Sequence, residues 1–337
     1  MTIDARRTAE PVVSASSVTF SRRQSGRPWR KSTCDSRRLR MTPYQHLNLL
    51  LHYERALTLR SIIRDTIRPG AKVLDAGCGV GLLAMWAIDA GADRVVGVDV
   101  DTLALARRLA SENGMASRLQ FVEADLWDFD LPAERNTFDV ILAMVYLNDP
   151  RRDDRQTKLV FRLKERFLAN GGCVVPNRVR YYARACEWPQ QDHKTRQARL
   201  RADIADLEGR YDLRFQGLCE AVTAEPWKPQ FPVRDRDGRL DLSQARLLSD
   251  PEPVADIDYG KAGAPSVSGL EIQSGAPGMF NTIVWTQELW FDEQLIFSNE
   301  SVSWIVNPQL VRAGSTYTVR LDGQWEERNL ARLVEER

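Results

Sequence analysis

The chain predicts two folded parts, a doubly wound α/β domain followed by an all-β barrel domain. Three observations lead there. Apolar strand-length and helix-length segments alternate from Lys72 to Val175, as they do when a parallel sheet is covered by helices on both faces. A glycine-rich turn joins the first of those strands to its helix. After Pro176 the helical texture gives way to short strands separated by turns. A length of 337 residues, 43% hydrophobic and 28% charged, is enough for two cores and excludes a wholly disordered or fibrous chain.

Residues 1–42 are rich in Ser, Thr and Arg without apolar periodicity and are expected to be a disordered tail. Leu47, Leu50, Leu51, Leu57 and Ile62 then recur at helical spacing, predicting a helix from Tyr44 to Ile67 that stops at Pro69-Gly70. Lys72–Asp75, Arg94–Val98, Leu119–Glu123, Phe138–Met144 and Cys173–Val175 are predicted strands. Gly81–Ala90, Leu103–Asn113 and Thr157–Leu168 are predicted helices between them. Together, 43–176 form the first domain, capping helix included, and 177–337 the barrel. The barrel strands are Val179–Ala185, Leu270–Gln273, Thr282–Trp290, Gln294–Phe297, Val302–Val306 and Thr316–Leu321. A charged helical insert near 195–208 interrupts them.

Charge and cysteine content narrow the function classes. The tail carries ten Lys/Arg against three Asp/Glu, a balance of +7 that leaves −6 on the rest of the chain. An acidic body argues against nucleic acid as partner and suits cationic ligands. No apolar run approaches the ~20 residues that span a bilayer, and no secretory pattern opens the chain. Five widely spaced cysteines without a CxxC pair favour reduced thiols, a cytoplasmic location and no metal site.

Chemistry concentrates in Val73-Leu74-Asp75-Ala76-Gly77-Cys78-Gly79-Val80-Gly81. Gly77, Gly79 and Gly81 let a tight turn approach a ligand that a Cβ would exclude, and the helix beyond offers free N–H groups. Asp99 ends the next strand, where a carboxylate accepts ribose hydroxyls. Asp125-Leu126 follow the third strand, placed to meet an adenine. Dinucleotide enzymes usually show GxGxxG without the Asp two residues before the first glycine. Asp75-x-Gly-x-Gly-x-Gly with Asp99 and Asp125 instead resembles the class I S-adenosylmethionine (SAM) methyltransferases, which implies SAM as cofactor and S-adenosylhomocysteine (SAH) as product.

Beyond that core the chain resembles the protein arginine methyltransferase family. His46 and Arg55 match its cofactor-capping His and the Arg that meets the SAM carboxylate. Ala90-Gly91-Ala92 with Arg94–Val98 is similar to its second strand, and Leu168–Asn177 to its proline-terminated strand. Residues 247–258 are similar to the start of its barrel, and Trp285 falls at the Trp of its Thr-His-Trp loop. The resemblance covers about 43–325 and implies a Rossmann-like class I methyltransferase domain with a C-terminal β-barrel, working as a homodimer with the helical insert as its arm.

The departures bear on the acceptor. The family grips a guanidinium with two glutamates after the fourth strand. Here Met144 takes the place of the first, the second falls at Asp153 or Asp154, and Val284 replaces the loop histidine. Asp149, Asp153 and Asp154 are therefore the candidate catalytic carboxylates, with Met144, Tyr146, Asn148 and Trp285 as candidate acceptor contacts. The expectation is a methyltransferase acting on a nitrogen or oxygen nucleophile of a small molecule or peptide. The alternatives are a genuine protein-arginine methyltransferase with a rebuilt acidic clamp and a silent SAM-binding structural partner. Arg151 and Arg152 would repel a cationic acceptor if they faced the pocket. His193, in the charged insert, is a surface histidine by default.

Overall fold

The computed structural model describes residues 42–146, 150–189, 193–211, 215–217, 240–243, 245–261, 269–320 and 330–336. The tail expected to be disordered lies, apart from Thr42, outside the described residues.

Two helices, α1 (Pro43–Leu50) and α2 (Tyr53–Thr66), replace the single helix expected over 44–67. The break falls at His52, whose φ of −77° and ψ of 74° leave the helical region. Helix α2 buries Leu59, Ile62 and Ile63 against the sheet. The alternating unit follows as β1 (Lys72–Ala76), α3 (Leu82–Asp89), β2 (Arg94–Asp99), α4 (Leu103–Glu112) and β3 (Leu119–Glu123). It ends with β4 (Phe138–Leu142), α5 (Pro150–Phe167) and β5 (Leu168–Val175). Helix α5 starts at Pro150 rather than Thr157. A proline is pre-set for the first helical turn and Asp153 in that turn meets the positive end of the helix dipole.

The five strands pair in parallel in the order β3-β2-β1-β4-β5. The chain runs outward from β1 to β3, then returns to β4 on the other side. Segments leaving the carboxyl ends of β1 and β4 diverge, and this switch of direction opens a crevice there. Sequence placed the glycine loop after β1, so the fold delivers it to that crevice.

The second sheet curls into a half-barrel. Its elements are β6 (Arg178–Glu187), α6 (His193–Tyr211), β7 (Arg246–Leu247), β8 (Glu252–Asp258), β9 (Gly269–Gln273), β10 (Gly278–Phe291), β11 (Gln294–Val311), β12 (Thr316–Arg320) and β13 (Leu330–Glu336). The order is β7-β6-β10-β11-β13-β12-β9, with β8 paired to β6. Strand β11 is continuous where two short strands were expected. Its polar Ser298-Asn299-Glu300-Ser301 run resembles a turn, yet it pairs residue by residue with β10. Alternation along β6 turns Val179, Tyr181, Ala183 and Ala185 inward. Val179 and Tyr181 join the core of the α/β unit, whereas Ala183 and Ala185 join the barrel core. One strand thus ties the two cores together.

Candidate functional site

The cofactor-side cradle is built from residues 75–101. Gly77, Gly79 and Gly81 have φ of 77°, 53° and 82°, the left-handed region that favours glycine. Space is as restrictive as backbone. A Cβ on Gly79 would sit 2.7 Å from the His46 ring, and one on Gly77 would sit 3.1 Å from Val145. Val98 supplies the carbonyl that accepts the Gly77 and Cys78 N–H groups, so the turn is anchored to the end of β2.

Two carboxylates hold this turn in place. Asp75, buried at the end of β1, accepts the Ala84 N–H of α3 at 3.1 Å. Burial, and after it the neighbouring Asp99, push its carboxyl up to about 7, while the Ala84 N–H pulls the other way. Asp99 accepts from Gly79 N–H at 2.8 Å through one oxygen, and from Val100 and Asp101 N–H through the other. It stitches the strand end to the glycine loop and keeps spare lone pairs for a hydroxyl. His46 leans on Gly79 from α1. Its imidazole is held below the ordinary histidine value by burial, against the opposing pull of Asp99 and Asp101.

Asp125 accepts the Trp127 N–H at 3.0 Å and its carbonyl closes a turn to Asp128 and Phe129. Leu126 packs, half-buried, against the α/β core. Arg55, on α2, lines a cavity of about 80 Å³ with His52, Thr58, Phe297 and Ser298. Its guanidinium lies over the Phe297 ring, 5.9 Å from the centroid, and among the described residues it has no ion-pair partner. Burial lowers its basicity. Glu54 lines the same cavity, so a carboxylate shares the pocket with this desolvated cation.

The residues expected to face the acceptor lie where the α/β unit meets the barrel. Tyr146, just past β4, shares a short hydroxyl–hydroxyl hydrogen bond with Tyr259 at the end of β8. Asp153 is fully buried. It accepts from Tyr181 Oη at 3.0 Å and from Gln287 Nε2 at 2.7 Å, and Gln287 also donates to the Tyr181 hydroxyl at 2.9 Å. Burial raises all three phenols, so each keeps its proton for these bonds. Asp154 is half-buried. One carboxylate oxygen pairs with Lys158 at 2.6 Å, and the other, Oδ1, is buried with no hydrogen-bond partner.

Two expected site residues lie in buried positions. Asp153, expected as a catalytic carboxylate, sits inside the seam and accepts from Tyr181 and Gln287. Trp285, expected at an acceptor wall, is fully buried in the barrel core and donates its indole N–H to Ser303 at 2.7 Å. Met144 packs half-buried against the α/β core, and Val284 is buried among Trp188, Val302 and Trp304. Asn148 and Asp149 lie outside the described residues, as do the side chains of Arg151, Arg152 and His193. Tyr181, Tyr259, Gln287 and His52 carry no local sequence motif, since each reaches its position through tertiary packing. Among the described residues no group of three or more His, Cys, Asp or Glu could hold a metal ion. No described helix is long and apolar enough to cross a membrane.

Comparison with known proteins agrees with this architecture. Residues 73–172 match the family described as a methyltransferase domain. An arginine N(omega)-methyltransferase of Streptomyces achromogenes subsp. streptozoticus is 25% identical over 295 residues, 84% of this chain and 76% of its own. A ribosomal protein arginine N-methyltransferase of Schizosaccharomyces pombe is 33% identical over 112 residues, 33% of this chain and a stretch that spans only 20% of that relative. The match to protein arginine N-methyltransferase 1 of Dictyostelium discoideum, 28% identical, covers 44% of this chain and 43% of that relative. Among solved structures, protein arginine methyltransferase 10 of Arabidopsis thaliana superposes with a TM-score of 0.59 at 19% identity, covering 82% of this chain and 87% of that one. The PRMT1 enzyme–prozyme heterotetramer of Trypanosoma brucei with AdoHcy gives 0.57 at 16%, covering 84% and 89%. The fold is therefore that of the arginine methyltransferases, a class I methyltransferase domain followed by a β-barrel domain.

Proposed function

We propose that this chain is a SAM-dependent methyltransferase that works on a nitrogen or oxygen nucleophile of a small molecule or peptide. The observation that carries the reading is the cradle, in which three left-handed glycines, His46 and the Asp99 carboxylate converge at the switch point of a parallel sheet. Asp99 would take the ribose hydroxyls, Asp125 and Leu126 the adenine, and Arg55 the methionine carboxylate. SAM supplies an electrophilic methyl on a sulfonium. When bound, its methyl would pass to the acceptor lone pair as the C–S bond electrons returned to sulfur, leaving SAH. What remains for the protein is alignment and removal of the acceptor proton.

Asp154 is the carboxylate best placed for that proton, because Oδ1 is buried and still lacks a donor. A buried anionic oxygen without a hydrogen bond is costly, and an acceptor N–H or O–H would satisfy it. With Met144 in place of the first glutamate, a two-carboxylate grip on a guanidinium is not assembled from the described residues, which favours an acceptor other than ordinary protein arginine. The relatives' arginine specificity supports an arginine-like nitrogen as the first probe. A homodimer with α6 as its arm, and a cytoplasmic location suited to the free thiols of Cys78, Cys173 and Cys186, complete the proposal.

Calorimetric titration of SAM into the wild type and Asp99→Ala tests the first step. Micromolar binding that weakens at least about tenfold in the variant is expected, the scale of one charge-assisted contact. A wild type that binds no SAM overturns the reading. Methyl transfer to free L-arginine and to an Arg-Gly-rich peptide tests the second. Ordinary turnover of the peptide would replace this acceptor class with protein arginine.

A further inference from the structure

Two barrel contacts reach across the seam to the acceptor side. Tyr259 holds the Tyr146 hydroxyl, and Tyr181 with Gln287 holds Asp153. Tyr259 is itself immobilised. Its ring lies 4.9 Å from that of Phe161 on α5, its carbonyl accepts from Lys164, and its N–H donates to Asn177. The residue beside Tyr146 is Val145, whose methyl closes on Gly77 so tightly that a Cβ there would meet it at 3.1 Å. A chain of contacts thus runs from the barrel through Tyr259, Tyr146 and Val145 to the first glycine of the cofactor loop.

We infer that Tyr259 is a positioning residue for methyl transfer, through which the barrel sets the wall shared by cofactor and acceptor. The inference rests on the methyltransferase reading for its kinetic consequence but not for its structural one. The α/β unit could hold the glycine loop alone, since Val98, Asp75 and Asp99 anchor it. Tyr146 differs, because its hydroxyl bonds to Tyr259 of the barrel. A buried phenol pair fixes both partners only while both hydroxyls are present, so loss of either frees the segment after β4 without touching the glycine turn.

The test uses the full chain and three variants, Tyr259→Phe, Tyr146→Phe and the double. Each keeps its ring and so its packing. Hydrogen exchange of the peptide spanning 143–146 should accelerate about tenfold in either single variant, while 72–84 stays unchanged. The double variant should exchange no faster than the singles, because one shared contact can be lost only once. SAH affinity should hold within about twofold, and with L-arginine as probe Tyr259→Phe should raise the acceptor KM about fivefold while the SAM KM stays. Unchanged exchange at 143–146, or additive effects in the double variant, would overturn the inference. So would a loss of SAH affinity as large as the rise in acceptor KM. A wild type that binds no SAH, or turns over no probe, fails the preceding section instead, and the exchange result decides the positioning role alone.

Discussion

The two halves of the site are built in opposite ways. The cofactor side is local, with Asp75, the three glycines, Ala84 and Asp99 all drawn from one strand–turn–helix–strand unit. The acceptor side is assembled from distant chain. Asp153 meets Gln287 134 residues away, and Tyr146 meets Tyr259 113 residues away. A local site is specified by the backbone conformations its residues permit. A distant one is specified by packing, and it changes whenever the facing strand changes.

The largest expected effect tests the local half. Asp75 is an acid whose folded-state value, about 7, stands well above the ordinary 3.8. A raised carboxyl binds its proton more tightly in the folded state. Its contribution to stability is therefore complete below pH 4, falls as pH rises toward 7 and is flat beyond. At roughly 1.4 kcal/mol per pKa unit the loss amounts to a few kcal/mol. Asp75→Asn keeps an oxygen for the Ala84 N–H and carries no charge, so its urea midpoint should lose the decline between pH 4 and 7. A variant that declines as the wild type does would place the titrating group elsewhere and break the claim that the cradle is a self-contained electrostatic unit.

The distant half should break differently. Asp153→Ala leaves the buried Tyr181 hydroxyl without its acceptor and Gln287 with only its bond to Tyr181, and should cost about 3 kcal/mol in urea denaturation. SAH affinity should be unchanged, because Asp153 accepts from Tyr181 and Gln287 of the barrel strands rather than from the glycine loop. If instead stability held and methyl transfer disappeared, Asp153 would return to the catalytic role that its place in the sequence suggested, and the two halves would not be separable.

How much was legible follows the same division. Strand, glycine turn and helix at 72–89 could be read because each residue's conformation is dictated within a few neighbours, and the parallel order followed from the alternation. The start of α5 could not. Pro150 opens the helix before the apolar pattern begins at Leu159, and with it Asp153 is turned toward β6 and β10. The polar stretch Ser298–Ser301 reads as a turn because it lacks the apolar alternation of its flanks, although it pairs across a hairpin with Trp285–Glu288 of β10. Strand β8 pairs with the distant β6 and left no local signature strong enough to read.

Trp285 gives the smallest and sharpest test of where the acceptor side ends. The family resemblance puts it at the Trp of a Thr-His-Trp loop, whereas the structure buries it among Ala183, Ile283 and Tyr317 with its N–H on Ser303. Phenylalanine in its place fills most of the same volume and removes the indole N–H that donates to Ser303, a cost of about 1.5 kcal/mol. Trp285→Phe should thus lower the urea midpoint modestly and leave the acceptor KM where it was. A raised KM at unchanged stability would mean that the barrel opens Trp285 to the acceptor during turnover. The wall held by Tyr259 and Tyr146 would then extend one strand deeper into the barrel than the hydrogen bonds now mark.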